Sequence, residues 1–243
     1  METQRFDDGI RLARQIKLSM ITATSWQFLL DLAENNNRDW FITQAPRYNA
    51  YKANYQVFIG ELLAAMQAVD PHLEFLTVKQ CSFRIYKDLR FSKDKTPYKI
   101  HLGIWLSTNR NWENAPGYYL HLEPGKSFVA GGMYFPSAAA LKKIRKEIAF
   151  FQDELTELLQ EKAFSSYFSG FDRDETNQLI NGPKDFDKDH PALEFLKLKS
   201  FTFSHKISDE AIFKADFLDQ IVAQFCSMKP LLDYLYRALE TEE

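Results

Sequence analysis

"IHLGIWLS", residues 100–107, and "GYYLHLE", residues 117–123, decide the fold because their period is two. Ile100, Leu102, Ile104 and Leu106 alternate with His101, Gly103, Trp105 and Ser107. Tyr118, Leu120 and Leu122 alternate in the same way with Tyr119, His121 and Glu123. Successive strand side chains point to opposite faces, so each segment carries one apolar face and one mixed face. Upstream, Phe83 and Ile85 alternate with Arg84 and Tyr86. Downstream, "SFVAGGMYF" (127–135) reads as a further strand whose Gly131-Gly132 marks a bulge or a close backbone approach. The connections "STNRNWENAPG" and "EPGKS" are too short for crossover helices, which makes the sheet mainly antiparallel.

On both sides of this region the period is helical. Thr24 with Gln27 three residues on forms a capping-box pattern before Phe28, Leu29, Leu30 and Leu32. "ENNNRDWF" ends that helix, and Asn37 is placed to cap a short second one. Pro46 suits the first turn of a third helix, in which Tyr48, Tyr51, Tyr55, Phe58, Leu62, Met66 and Val69 form one stripe before Asp70-Pro71 stops it. After the strands, residues 136–162 read as one long helix with Leu141, Ile144, Ile148, Phe151, Leu155 and Leu158 on its apolar face. A turn-rich stretch containing "NGPKDFDKDHP" follows, then a short helix around Ala192 to Leu198 and a possible strand, "SFTFSHKI". The terminal segment is helical from Asp209 to Glu240, with a break expected near Pro230. Helices, then strands, then helices is the α+β pattern: a mainly antiparallel sheet flanked by N-terminal and C-terminal helices. No Pro/Gly/Ser-rich linker interrupts residues 21–243, which read as a single α+β domain behind an N-terminal extension of residues 1–20, with Met20 as an alternative start.

Composition narrows the function classes. A net charge of −3 gives no general basic field, which disfavours nucleic acid as a partner. The chain has no run of 18 apolar residues, so no transmembrane helix is expected, and its start has no apolar signal core. Cys81 and Cys226 stand far apart and outside any metal-ligand spacing; they read as reduced thiols of a cytoplasmic protein. Walker, G-x-G-x-x-G, H-E-x-x-H and G-x-S-x-G motifs are all absent.

The mixed face of the sheet is the first candidate site. If Phe83, Ile85, Ile100, Leu102, Ile104, Leu120 and Leu122 face the core, the opposite face shows Arg84, Tyr86, His101, Trp105, Tyr119, His121 and Glu123. A merely solvated sheet face favours Thr, Lys, Glu and Ser. Two histidines, aromatics, an arginine and a glutamate suit a ligand-facing surface, the alternative being a second packing face under the C-terminal helices. His101, Tyr119, His121 and Glu123 are the candidates for proton transfer. His101, His121 and Glu123 also have the composition of a two-histidine, one-carboxylate metal set, but nothing in their spacing places His101 beside the other two, so no metal site is assigned.

"FRIYKDLRFSKDKTPYK", residues 83–99, adds a cluster of cations at the rim of that face. The window from Arg84 to Lys99 is net +4, leaving −7 for the rest of the chain. Arginine offers a planar fork to phosphate or carboxylate and lysine a point charge. Asp88 and Asp94 are placed to orient these cations, and Phe91 with Pro97-Tyr98 to pin the loop to the body. The alternative is a solvated charge network whose exposed pairs contribute ~0–1 kcal/mol each.

This stretch resembles the signature of the DUF2461 family of conserved hypothetical proteins, R-x-x-[RK]-D-x-R-F-x-x-[DN]-K-x-x-Y. It falls here on Arg84, Lys87, Asp88, Arg90, Phe91, Asp94, Lys95 and Tyr98. "NNNRDWF", "PGYYLHLEPG", "GGM" and "GPKDFDKDHPALEFLK" are similar to that family as well, so the resemblance spans roughly Ile21 to Ala238. Two positions depart from it: Lys87 stands where arginine is more usual, and Asp185 where a glycine is usual. The resemblance implies fold and extent and assigns no reaction, cofactor or oligomeric state.

The functional expectation is a binding site, with catalysis left open, for an anionic phosphate- or carboxylate-bearing small molecule. Arg84, Lys87, Asp88, Arg90, Asp94, Lys95 and Tyr98 are its expected ligand-binding residues. Two alternatives remain: an interaction module for nucleic acid or protein, and a structural latch of buried salt bridges with function elsewhere.

Overall fold

A computed structural model describes residues 20–240, apart from 91, 110 and 112. The extension 1–19 and Phe91 therefore lie outside the described residues. Four strands, β1 (Leu102–Leu106), β2 (Gly117–Leu122), β3 (Phe128–Met133) and β4 (Phe201–Lys206), form one antiparallel sheet in the order β1-β2-β3-β4. Helices α1 (Ala23–Glu34), α2 (Arg38–Thr43), α3 (Ala45–Gln67) and α4 (Val78–Cys81) precede the sheet. Helices α5 (Ala138–Phe150), α6 (Gln152–Gln160), α7 (Lys162–Ser165) and α8 (Leu193–Leu196) lie between β3 and β4. Helices α9 (Asp209–Ile212) and α10 (Phe217–Glu240) close the chain. This is the expected α+β architecture, and no helix among the described residues is long and apolar enough to cross a membrane.

The register settles which residues face inward. Leu102 pairs with Leu122, Ile104 with Leu120, and Leu106 with Tyr118; Leu120 then pairs with Val129 and Tyr118 with Gly131. On this face Leu102, Ile104, Leu106, Tyr118, Leu120, Leu122, Val129, Met133, Phe201 and Phe203 are all at most 2% exposed. Helix α10 packs over them: the Phe225 ring lies 5.1 Å from that of Tyr118, and a Cβ on Gly131 would come within 2.6 Å of Met228 Sδ and 2.8 Å of the Phe203 ring. Gly132 has φ +109°, and a Cβ there would stand 1.9 Å from the Phe201 carbonyl oxygen. The two glycines thus mark a close approach of β3 to α10 and β4, as their pairing in the sequence suggests.

Several elements differ from the sequence reading. Residues 83–86 form no strand; Ser82 bridges to Ile104 and Tyr86 to Tyr98, with a bend at Ile85, whose carbonyl accepts from Lys99 N–H at 2.7 Å. The cap of α1 is Thr22, whose hydroxyl accepts from Ser25 N–H at 3.2 Å, two residues before the expected Thr24. Asn37 does cap α2, accepting from Trp40 N–H at 2.9 Å, and Pro46 does sit in the first turn of α3.

The long helix breaks at Phe151 (φ −122°, ψ 39°). Glu147 and Glu154 would lie ~10.5 Å apart along a straight helix. The break brings both carboxylates onto the Arg237 guanidinium, with Nε to Glu147 Oε1 and Nη2 to Glu154 Oε2 each 2.6 Å.

Helix α10, by contrast, runs through Pro230 unbroken. An interior proline costs about 3 kcal/mol. Phe225, Met228, Leu231 and Leu232 around it are at most 1% exposed, and full burial of each contributes about 1.5–3 kcal/mol. Packing therefore outweighs the lost hydrogen bond. The helical break falls instead between α9 and α10.

Gly132→Ala should destabilise the fold by about 3 kcal/mol or more, at the upper end of single substitutions, because the clash is with backbone. Gly125→Ala, at φ +74° with nothing within 4 Å of a new Cβ, should cost only the left-handed strain of about 1–2 kcal/mol. Urea unfolding of both variants measures the contrast; equal losses would mean that strand contact adds nothing to the demand for glycine at 132.

Candidate functional site

Helix α10 covers the leucine face, which leaves the histidine and aromatic face to line a cleft of about 530 Å³. Trp105, Tyr119, Phe128 and Ala130 form its floor, His101 and Lys99 one side, and Asp172, Thr202 and Ser204 the other. Asp172 is positioned by the chain itself, its N–H donating to the Thr202 carbonyl (2.6 Å) and its Oδ1 accepting from the Ser204 hydroxyl (2.9 Å). Burial pushes the Asp172 carboxyl above its ordinary pKa, against the hydrogen bonds from Ser204 and Thr202.

Four side chains at the β1–β2 end are linked. The Tyr119 hydroxyl lies 3.0 Å from His121 Nδ1, and His121 Nε2 lies 3.0 Å from Glu123 Oε2. Lys126 Nζ donates to the other oxygen, Glu123 Oε1, at 3.0 Å. His101 Nδ1 stands 4.0 Å from Glu123 Oε2, and the two imidazole rings are 4.3 Å apart. Pairing of Leu102 with Leu122 is what sets His101 beside Glu123, a juxtaposition that residue spacing does not reveal.

A carboxylate can only accept, so a neutral His121 carries its proton on Nε2 and takes the Tyr119 hydroxyl hydrogen at Nδ1. Burial, then His121, lowers the His101 pKa to about 4, with Lys99 and Lys87 adding to the effect and Glu123 opposing it. Burial and the Glu123 charge raise the Tyr119 phenol to about 12. Burial opposes ionisation of Glu123, but hydrogen bonds from His121 and Lys126 outweigh it and leave its pKa below the usual carboxylate value.

A second cleft, of about 490 Å³, shares Phe83, Lys99 and His101 with the first. It is lined by Lys52 of α3, Lys79 of α4, Arg84 and Lys99, with Tyr48, Tyr51 and Tyr55, and by no carboxylate among the described residues. None of these four cations is in an ion pair among the described residues. Lys99 is half-buried against the Phe83 ring, 5.1 Å from its centroid. Burial, and then the Arg84 guanidinium, hold its ammonium below the ordinary lysine pKa.

The other charges of the 83–99 stretch go elsewhere. Lys87 Nζ pairs with Asp94 Oδ2 at 2.7 Å and bonds the Thr96 hydroxyl, while the Arg90 fork grips Asp88 at 2.6 and 3.0 Å. Lys95 Nζ donates to the Leu89 carbonyl. Lys87, Asp88, Arg90, Asp94 and Lys95 therefore form a self-paired surface loop and line neither cleft. These pairs are exposed and internal to the loop, not buried bridges latching sheet to helices. Tyr98 anchors the loop base: its ring stacks on Phe41 at 3.9 Å, and Asn36 clasps its backbone N–H and carbonyl at 3.0 and 2.9 Å.

Of the expected set, the structure brings His101, Tyr119, His121 and Glu123 together and leaves Arg84 as the one expected ligand-binding cation at the cleft. Phe83, expected in the core, lines both clefts, whereas Ile85 is buried. Lys52, Lys79, Asp172, Thr202 and Ser204 were not legible as site residues, because elements distant in sequence carry them.

A family model described as a conserved hypothetical protein (DUF2461) matches residues 24–234. Comparison with curated proteins and with solved structures gave no match.

The Arg90 hydrogen bonds hold the Asp88 carboxyl at about 2, below its ordinary 3.8. With the folded value depressed, the pair's contribution is complete above pH 3.8 and is lost as pH falls through about 2. In Arg90→Ala the Asp88 midpoint should rise toward 3.8, followed by NMR of the side-chain carboxyl carbon. An unchanged midpoint would show that the loop does not pair its own charges.

Proposed function

The chain belongs to the DUF2461 family, a description that names no activity, and we propose that it binds an anionic small molecule bearing a phosphate or carboxylate. One observation carries the reading: Lys52, Lys79, Arg84 and Lys99 share a cleft that no acidic side chain lines among the described residues. Four like charges around one cavity repel one another, and an anion placed among them relieves that repulsion. Lys99 is the sharpest instance, since burial and Arg84 both act against its charge. Tyr48, Tyr51 and Tyr55 supply an apolar and hydroxyl-bearing wall for the rest of the ligand. The shared wall of Phe83, Lys99 and His101 joins this cavity to the cleft lined by Trp105 and Tyr119, so one ligand could be held by its anion among the cations and extend its other end past His101 toward Tyr119.

The test is binding of inorganic phosphate, a sugar phosphate and a dicarboxylate, read by calorimetry and thermal shift. Arg84→Ala and Lys99→Met should each weaken any bound anion at least about tenfold, since a hydrogen bond to a charged group contributes about 1.5–3 kcal/mol and about 1.4 kcal/mol is a factor of ten. Arg84 is exposed and unpaired among the described residues, so its variant should melt within about 0.5 kcal/mol of the parent. Arg90→Ala, altered only in the self-paired loop, should bind like the parent. Equal affinity in all three variants, or loss in Arg90→Ala alone, sinks the reading. Steeply salt-dependent binding of an oligonucleotide with no response to small anions would replace it by the nucleic-acid alternative.

A further inference from the structure

We infer that His101, His121 and Glu123 form a binding site for one first-row divalent transition ion of the zinc class. The inference stands on the mutual geometry of these three donors, of which His101 lines the first cleft, and does not depend on anion binding in the second. One donor atom from each residue lies within 4.8 Å of the other two. Zinc bonds to imidazole nitrogen and carboxylate oxygen are about 2.0–2.2 Å long, which places two adjacent donors on one ion roughly 3.0–3.4 Å apart. His121 Nε2 and Glu123 Oε2, at 3.0 Å, already meet that spacing. His101 Nδ1, at 4.0 Å from the same oxygen, must close by roughly 0.6 Å. Its side chain is 27% exposed, so a rotation of the imidazole is the adjustment that binding requires.

Supporting contacts arrange these donors. Lys126 occupies Glu123 Oε1 and leaves Oε2 to the ion. Phe128 stacks on the His121 ring at 4.8 Å and 16°, which restricts its rotation. When Nε2 binds the ion, the His121 proton resides on Nδ1, and the Tyr119 hydroxyl turns from donor to acceptor at the same 3.0 Å contact. The proton is transferred between ring nitrogens, and neither residue changes charge. Two imidazoles and one carboxylate leave coordination positions for further ligands, the donor pattern of a reactive rather than a purely structural metal site, and of the three donors His101 lines the cleft.

The surrounding charges select the ion. Lys87 and Lys99 face His101 and Lys126 faces Glu123, all opposing a cation. Asp172 lies across the same cleft. A hard ion such as Mg²⁺, which requires oxygen donors, has little to gain here, whereas imidazole nitrogen favours zinc, iron and their neighbours.

The experiment titrates the chelator-treated full chain with Zn²⁺ by calorimetry and with Co²⁺ by visible absorption, with Mg²⁺ as the comparison ion. One equivalent of Zn²⁺ should bind, shifting the His101 and His121 ring resonances in NMR, with no comparable Mg²⁺ response. His121→Ala and Glu123→Gln should each weaken Zn²⁺ binding more than tenfold, and Tyr119→Phe about tenfold, as removal of an outer hydrogen bond does. Circular dichroism verifies folding, and Glu123→Gln serves should His121→Ala not fold. Asp70, His72 and Asp233 are a second group of three candidate donors. Retention of full affinity in Glu123→Gln, loss in Asp233→Asn instead, or no bound Zn²⁺ in the parent overturns the inference.

Discussion

Pairing of Leu102 with Leu122 is the constraint on which the rest of the molecule depends. A strand's side chains alternate, so a slip of one residue would turn the leucines of β1 and β2 into the cleft and bury the histidines under α10. The register is held from the leucine face. Gly131 makes room for Met228 and the Phe203 ring, and Gly132 for the Phe201 carbonyl, so the sheet lies closely against the helix. The gain from that face is large enough to carry Pro230 through the middle of α10. The same contact that makes the core thus frees the opposite face for chemistry.

The cations near the sheet fall into two populations. Within the loop, Asp88 and Asp94 are placed to neutralise Arg90 and Lys87, and Asp94 also accepts the Thr96 N–H at 2.9 Å, which shapes the turn. Asn36 and Phe41 hold the base of the loop through Tyr98. At that base stand Arg84 and Lys99, which the loop's acids do not neutralise by an ion pair. They join Lys52 and Lys79, brought from two helices, around a cavity that no acid lines among the described residues. The loop reads as scaffolding for Arg84 and Lys99, unpaired among the described residues, rather than as the anion site itself, because charges already hydrogen-bonded to carboxylates have less to offer a ligand.

The strands of the β-meander were legible because period two survives in Leu102–Leu106 and Gly117–Leu122, and the helices because their stripes and caps are local. What failed was tertiary in origin. Phe83 and Ile85 alternate like a strand, yet only the ends of their segment find bridge partners. The break at Phe151 answers to Arg237, some 80 residues away, and the continuity of α10 to a packing gain that no local propensity contains. In the site, Tyr119, His121 and Glu123 were visible as alternating residues of one strand face. His101 needed the register, and Lys52, Lys79 and Asp172 needed the whole fold. The charge loop was legible in part: Asp88 and Asp94 stood beside the cations in the sequence, but which acid takes which base, Asp94 with Lys87 and Asp88 with Arg90, could be assigned only from geometry.

The electrostatics of the shared wall distinguish this site from a simple anion cradle. Such a cradle gains from protonated histidines, each adding a positive charge and two donors. His101 does the opposite: burial, with His121 and then Lys99 and Lys87 adding to it, keeps it unprotonated down to about 4, so at neutral pH it contributes a lone pair and no charge. Tyr119 stays protonated for a related reason, its phenol being raised to about 12 by burial beside Glu123. Glu123 is held ionised, since hydrogen bonds from His121 and Lys126 outweigh the cost of its burial. One half of the wall therefore concentrates positive charge, and the other concentrates lone pairs around a single carboxylate. Lys99 belongs to both halves: it is one of the four cations around the cavity that no acid lines among the described residues, and it adds to the burial and the His121 effect that keep His101 available as a donor.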